Sequence, residues 1–409
     1  MQSQQRARGM RHIDLTDVQL ASSETARRIN RDIVLELIRA NQPISRADLS
    51  RRSGLQRSTI SQIVEQLIRE KWVCEGAVAT RPRGRRPTLL GLNDSLVVIA
   101  VDIHPKQAIL ATVDLHGRLL SRSLGSLDLD PAGSTRRIID CMIRMQRSLL
   151  HKSIEGIGIS LPGRVDPDTQ RLIFAPNLHW PDFDLKKVIE KKMRLPVQME
   201  NAATACLLAE LTFRRIDGIR DVVLLTVSEG IGTGVFANGQ LITGHHGMAG
   251  EFGHASLDPS GLLCTCGQKG CWETFASCNA ALRYYKELQP QSRAVAFHEL
   301  LTMADNDQHA AQALARQALY IGRGLRMIIA GLAPSLILVA GDITSAWHRF
   351  GPVIEKEVAD RTLAGTPPRI LPTHEGEIAR LRGAAALVFQ RRPVRKQLQV
   401  PNRSGARQP

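Results

Sequence analysis

Val227-Ser228-Glu229-Gly230-Ile231-Gly232-Thr233-Gly234-Val235, then Gly250-Glu251-Phe252-Gly253-His254, then Cys264-Thr265-Cys266-Gly267-Gln268-Lys269-Gly270-Cys271-Trp272-Glu273 is the stretch on which the fold of this chain turns. Its chemistry is densest at the end. Nine residues separate His254 from Cys264, one separates Cys264 from Cys266, and four separate Cys266 from Cys271. Gly267 and Gly270 let the backbone turn so that one imidazole and three thiolates converge, the donor set of a closed tetrahedral zinc site. A single cysteine would more simply be a small buried side chain. Three within eight positions make Zn2+ the expected cofactor, held by His254, Cys264, Cys266 and Cys271. The other four of the seven cysteines, Cys74, Cys141, Cys206 and Cys278, are scattered and are expected to be buried small groups, and an odd total argues against a disulfide framework.

Outward from that stretch, 409 residues leave room for two or three domains, and 43% hydrophobic content is that of a globular chain. The net charge of +15 is unevenly spread. Residues 1–92 hold 17 basic and 9 acidic side chains and residues 390–409 hold 6 basic and none acidic, which leaves +1 for the 297 residues between. That distribution excludes a uniformly basic protein of ribosomal type and points to a nucleic-acid-binding end module. No apolar run approaches the roughly 18–20 residues that cross a bilayer, so no membrane insertion is expected. Met1–Arg11 lacks the apolar segment of a secretion signal, and a cytoplasmic location is expected. The segments 1–22 and 391–409 are expected to be flexible, the latter a basic, disordered tail.

Residues 23–92 read as a winged helix-turn-helix. Helical spacing over Ala26–Asn41 places Ile29, Ile33, Leu37, Val34 and Ile38 toward a core. Ser45, with Asp48 three positions on, starts a second helix that stops at Ser53-Gly54. A third, from about Gln56 to Lys71, buries Ile60, Ile63, Val64 and Leu67 while presenting Gln56, Arg57, Ser58, Thr59, Ser61 and Gln62 to a major groove. Strands around Trp72–Glu75 and Thr88–Leu90 then flank a hairpin tip, where Arg83, Arg85 and Arg86 are placed to meet phosphates or the minor groove. A three-helix interaction module with a solvated basic loop is the plainer alternative.

From Leu96 onward strands alternate with helices, the pattern of an α/β body. Here the residues reach a family. Val227-x-x-Gly230-Ile231-Gly232-Thr233-Gly234-Val235, Gly244 and Gly250-Glu251-Phe252-Gly253-His254 resemble the signature of the ROK family of sugar kinases and sugar-responsive repressors. Ala175-Pro176-Asn177-Leu178, Glu200-Asn201, the cysteine run through Glu273 and the wing Gly84-Arg85-Arg86-Pro87 agree with it over about residues 25–390, in the manner of the glucose, N-acetylglucosamine and xylose repressors. The resemblance implies a two-lobed, actin-like (ribonuclease H-like) ROK sugar-kinase fold with a sugar in the cleft. Lobe 1 would span 93–205, completed by about 379–390, and lobe 2, with the zinc site, 206–378. It also implies that Asn177, Asn201, Glu251, His254 and Glu273 hydrogen-bond sugar hydroxyls.

The chain departs from the kinases of that family where phosphate would be handled. The Asn-Asp pair that supplies their general base reads Asn201-Ala202, and their Asp-Ile-Gly-Gly-Thr loop reads Asp102-Ile103-His104-Pro105-Lys106. Ser228-Glu229 puts a carboxylate in the second loop, and Gly341-Asp342 replaces a Gly-Gly. No catalytic residue is therefore expected. The expected protein is a regulator, more simply a repressor of carbohydrate uptake or catabolism genes. It would bind a double-stranded operator as a homodimer or homotetramer, and would be released when a small-molecule sugar closes the lobes and alters the spacing of the DNA-binding modules. An active sugar kinase with an appended DNA-binding module is the alternative, and a sugar-transport protein is an alternative effector.

Overall fold

The computed structural model describes residues 23–78, 88–175, 178, 180, 183–213, 218–360, 365–373 and 376–390. The chain divides into two units, Met1–Asn93 and Asp94–Pro409.

In the first, α1 (Ser23–Asn41) precedes a two-residue strand β1 (Ile44–Ser45), α2 (Arg46–Ser53), α3 (Arg57–Arg69), β2 (Val73–Val78) and β3 (Thr88–Leu92). Ser45 caps α2 as its Ser-x-x-Asp spacing predicts: its Oγ accepts the Asp48 N–H at 3.2 Å and donates to Asp48 Oδ2 at 2.6 Å. Gly54, at φ 72, ends that helix and turns the chain into α3, which buries Ile60, Ile63, Val64 and Leu67. The strands pair antiparallel in the order β1-β3-β2. The Gln42 side chain holds the end of the hairpin, accepting the Leu92 N–H at 2.8 Å. One expectation fails in α1. Ile29 and Ile33 are 51% and 44% exposed, and the helix packs through Val34, Leu35 and Ile38 instead. Its apolar residues form two overlapping stripes, and α2 and α3 select one of them. Cys74 is likewise exposed, whereas Cys141, Cys206 and Cys278 are buried as expected.

The second unit is built twice on one plan. Its first half runs β4 (Leu96–Ile103), β5 (Gln107–Asp114), β6 (Leu119–Ser126), α4 (Pro131–Ser148), β7 (Ser153–Leu161), β8 (Arg164–Val165), β9 (Leu172–Phe174), α5 (Leu185–Met193), β10 (Val197–Asn201) and α6 (Ala202–Phe213). Its second runs β11 (Val222–Val227), β12 (Ile231–Ala237), β13 (Gln240–Leu241), α7 (Glu273–Ala276), α8 (Cys278–Leu288), α9 (Phe297–Met303), α10 (Gln308–Leu332), β14 (Leu336–Ala340), α11 (Trp347–Ala359), β15 (Arg369–Pro372) and α12 (Gly376–Phe389). The five-stranded sheets have the orders β6-β5-β4-β7-β10 and β13-β12-β11-β14-β15. Each is a three-stranded antiparallel meander extended by two parallel strands. Every residue of β4, β11 and β14 is buried, which is why these segments read as continuous apolar runs without alternation.

Between the sheets lie α12, against β4 and β7, and α6, against β11 and β12. Small residues make the approach possible. A Cβ on Gly158 of β7 would collide with the Ala384 carbonyl of α12, one on Gly383 of α12 with the Ala205 carbonyl of α6, and one on Gly234 of β12 would come within 2.8 Å of the Ala203 carbonyl. Gly158→Ala therefore forces β7 and α12 apart. It should lower stability by about 1–3 kcal/mol or more, the range for overpacking a filled core, read as a lower urea midpoint.

Candidate ligand cleft and metal centre

A cleft opens between the two sheets at the N-terminal end of α6 and encloses about 1110 Å3 including its solvent-open mouth. Asn201, where β10 runs into α6, braces this corner. Its Oδ1 accepts the Ala203 N–H at 2.8 Å, capping the helix, and its Nδ2 donates to the Gly163 carbonyl at 2.9 Å. One N–H and one lone pair of the amide remain for a ligand.

Glu251 and His254 enter from the opposite wall on a 3-10 turn, Glu251–His254, laid flat on β12. That contact requires the two glycines flanking Glu251 and Phe252. A Cβ on Gly250, at φ 91, would strike the Thr233 carbonyl, and one on Gly253 the Ile231 carbonyl. His254 Nε2 lies 3.8 Å from Glu251 Oε2, on the cleft side, and Nδ1 lies 3.6 Å from Cys264 Sγ. Burial pushes the Glu251 carboxyl up, opposed by the neighbouring His254 and the Arg164 guanidinium and reinforced by Glu273. Glu273 joins the cleft to the cysteine loop: Oε2 accepts the Ile231 N–H at 3.2 Å and Oε1 accepts from Cys264 Sγ at 3.2 Å.

The ligand atoms of His254, Cys264, Cys266 and Cys271 all lie within 4.8 Å of one another. Cys266 Sγ and Cys271 Sγ are 3.6 Å apart, far beyond the roughly 2 Å of a disulfide and close to the ~3.8 Å between two thiolates on one tetrahedral ion at ~2.3 Å. The Cys264–His254 separation of 3.6 Å fits the same geometry. Burial pushes the Cys264 thiol up and the Cys271 thiol up to about 11, so an ion binding here displaces protons. The loop closes through the Cys264 N–H to the Gln268 carbonyl at 2.8 Å, and Gly270, at φ 68, is pressed against the Asp258 carbonyl.

The other half of the cleft is filled by charges of the chain itself, most of which a reading of isolated motifs misses. Asp102, fully buried, accepts from Ser160 Oγ at 3.1 Å and pairs through Oδ2 with His104 Nε2 at 2.7 Å. His104 Nδ1 faces Arg380 Nη1 at 3.4 Å. A guanidinium only donates, so Nδ1 is the acceptor and the ring proton sits on Nε2, toward Asp102. Burial disfavours the Arg380 charge, but the nearby Asp102, Glu229 and Asp342 carboxylates more than offset this and raise its pKa. A signal existed for Arg380: with Arg382 it is one of two arginines in α12, a helix otherwise made mostly of small and apolar residues, where a cation requires a partner.

In the first unit α3 turns Gln56, Arg57, Ser58 and Gln62 to solvent, with Thr59 and Ser61 half-buried beside them. Arg31 fastens α1 to the far end of α3, bonding Glu70 at 2.5 Å and lying over the Trp72 ring. Arg83, Arg85 and Arg86 of the expected wing, Asn177 of the expected sugar set and the tail 391–409 lie outside the described residues.

The ROK family profile matches residues 98–391, and a winged helix-turn-helix DNA-binding profile matches residues 24–73. The chain belongs to the ROK family. It is 32% identical over 378 residues to the xylose repressor of Bacillus spizizenii, an alignment spanning 91% of this chain and 97% of that relative. Among solved structures, a ROK family transcriptional regulator that is a homologue of the Escherichia coli MLC protein superposes with a TM-score of 0.77 at 26% identity, over 89% of this chain and 96% of the other. A ROK family glucokinase from Streptomyces griseus, in complex with glucose and AMPPNP, superposes with a TM-score of 0.67 at 29% identity, over 72% of this chain and 99% of the enzyme. The ROK body is thus common to repressor and kinase.

At the mouth of this ROK cleft, Asp166 bridges the walls. It accepts the Thr169 N–H at 2.7 Å and, through Oδ2, meets His246 Nδ1 at 3.2 Å. The backbone bond from Thr169, assisted by His246, holds the carboxyl down at about 2. A depressed carboxyl stabilises the fold fully above its unfolded value and loses that contribution as pH falls. Asp166→Asn should accordingly lower the urea midpoint at neutral pH, with the difference from wild type shrinking between about pH 4 and about pH 2.

Proposed function

We propose that this ROK protein is a sugar-responsive, DNA-binding transcriptional repressor of carbohydrate uptake or catabolism genes, with a kinase-like body that no longer transfers phosphate. The winged module would occupy 23–92, lobe 1 93–205 completed by about 379–390, and lobe 2 206–378. The observation that carries the loss of catalysis is the Asp102–His104–Arg380 set facing Glu229 and Asp342. A nucleotide entering that half would meet the Glu229 carboxylate and Pro105, where phosphates need free N–H groups and cations. Beside Asn201, Ala202 lines the cleft with a methyl group where a general base would have to take the proton from a sugar hydroxyl.

The ligand half remains equipped. Glu251, Glu273 and His254 offer acceptors and a ring N–H at the wall opposite Asn201, a pattern that pairs with vicinal hydroxyls. Sugar would bridge the two walls and favour the closed cleft, lowering operator affinity by a coupling free energy of about 1–3 kcal/mol. Gln56, Arg57, Ser58, Thr59, Ser61 and Gln62 would read the major groove and Arg83, Arg85 and Arg86 the backbone or minor groove, in a homodimer or homotetramer on paired half-sites. Zn2+ on His254, Cys264, Cys266 and Cys271 would be structural. It would fix the loop that carries Glu251 and Glu273, with His254 Nδ1 on the ion and Nε2 toward the ligand.

Two measurements test this reading. Duplexes selected from a random pool by the full chain should be released when the effector sugar is added, with affinity falling by roughly 5- to 150-fold. A coupled ATP-consumption assay over the same sugars should show no turnover; turnover at ordinary kinase rates, about 1–100 per second, would establish the active-kinase alternative. Cys266→Ala should reduce bound zinc from one equivalent per chain to near none by elemental analysis and blunt the response to sugar. Unchanged metal content would remove Cys266 from the site.

A further inference from the structure

Arg164 is the cleft side chain whose hydrogen bonding is least accounted for. It follows the turn at Pro162-Gly163, opens β8 and lines the cleft with Asn201, Glu251, His254 and Glu273. Its Nε has no accessible surface and no hydrogen-bond partner among the described residues. Leaving a buried donor unpaired is costly, the more so on a charged group. Nε is closed off from the cleft, but the terminal nitrogens of the same guanidinium also bond no described residue, and Arg164 is part of the cleft lining, where a ligand can supply their acceptor.

The side chain is also held in place. Its Cγ packs beneath Gly247, on the loop that carries the opposite wall, where an added Cβ would stand 3.6 Å from it. Two residues on, Asp166 meets His246 of the same loop. Arg164 thus comes from one wall and is fixed against the other, with its charge acting on Glu251. The charge balance around it narrows the class of acceptor. Glu200, Glu251 and Glu273 line this half against a single guanidinium, because Arg380 is surrounded by Asp102, Glu229 and Asp342. An anionic ligand would add to an existing negative excess, whereas a neutral oxygen would not.

We propose that Arg164 is a specificity-determining residue of the effector site: the terminal N–H groups of its guanidinium donate to a hydroxyl oxygen of an uncharged sugar while a neighbouring hydroxyl donates to Glu251, so that one ligand ties the two walls. The inference rests on the sugar-responsive reading above and deepens it.

Calorimetric titration of the full chain with D-xylose, D-glucose, their monodeoxy analogues and D-glucuronate tests it, on wild type, Arg164→Met and Arg164→Lys. The neutral sugar that wild type binds should bind Arg164→Met about 10- to 100-fold more weakly, the range for a hydrogen bond from a charged donor. One deoxy analogue should lose that factor on wild type and nothing further on Arg164→Met, a coupling that a merely structural role would not produce. Arg164→Lys keeps the charge and should fold as wild type while recovering only part of the affinity. Equal affinity in wild type and Arg164→Met, or losses that add for every deoxy position, would overturn the role of Arg164. Tighter binding of D-glucuronate than of any neutral sugar, lost in Arg164→Met, would overturn the uncharged class. Wild type binding no sugar of the panel would overturn the sugar-responsive reading itself and this inference with it.

Discussion

Two helices lying back to back between two sheets constrain everything else in the body. α12 rests on β4 and β7, and α6 on β11 and β12. Each interface is reached through glycine or alanine: Gly158 against Ala384, Gly383 against Ala205, Gly234 against Ala203. Close approach of backbones leaves no room for side chains that could slide, and interiors packed to that density transmit displacement instead of absorbing it. The N-terminus of α6 opens onto the cleft, and its cap, Asn201, is the same residue that holds the Gly163 carbonyl. Whatever occupies the cleft therefore acts at the end of the element that joins both sheets.

That placement explains why the two halves of the cleft can diverge chemically without loss of the fold. The contacts of Gly158 with Ala384 and of Gly383 with Ala205 lie outside the cleft lining, so the side chains that do line it can change around them. Burying Arg380 without partners would be costly, and Asp102, Glu229 and Asp342 supply three carboxylates around it. His104 occupies the gap between Asp102 and the guanidinium with one nitrogen for each. The charge of Arg380 is balanced from within the chain.

What was legible in the sequence follows the range of the interactions concerned. Ser45 and Asp48 are three residues apart and their cap forms as their spacing predicts. The His254–Cys271 spacing brings four donor atoms together because the intervening glycines are local devices. His104 and Arg380, by contrast, are 276 residues apart, and no local pattern marks them as neighbours. The repeated strand order of the two sheets is equally hidden, since pairing partners leave no trace in a single strand's composition. α6 and α12 are so rich in small and apolar residues that neither has a stripe to read. In α1 the difficulty is reversed: two stripes were present, and only the packing of α2 and α3 chose Val34, Leu35 and Ile38 over Ile29 and Ile33.

Glu273 carries the last step of the synthesis. It immediately follows the Cys271-Trp272 pair, with Trp272 fully buried and its indole N–H donated to the Tyr320 carbonyl at 2.8 Å. The Glu273 carboxylate then spans from Cys264 Sγ to the Ile231 N–H at the start of β12. The cysteine cluster, the glycine-rich strand and the core of the second sheet are consequently connected by one side chain and its neighbour. A change in the geometry of the cluster has to move β12 or break that connection, and β12 is the strand on which Glu251 and His254 are laid. The cluster and the ligand wall thus form one mechanical piece, so the arrangement of the four donor atoms and the placement of Glu251 and His254 are set together.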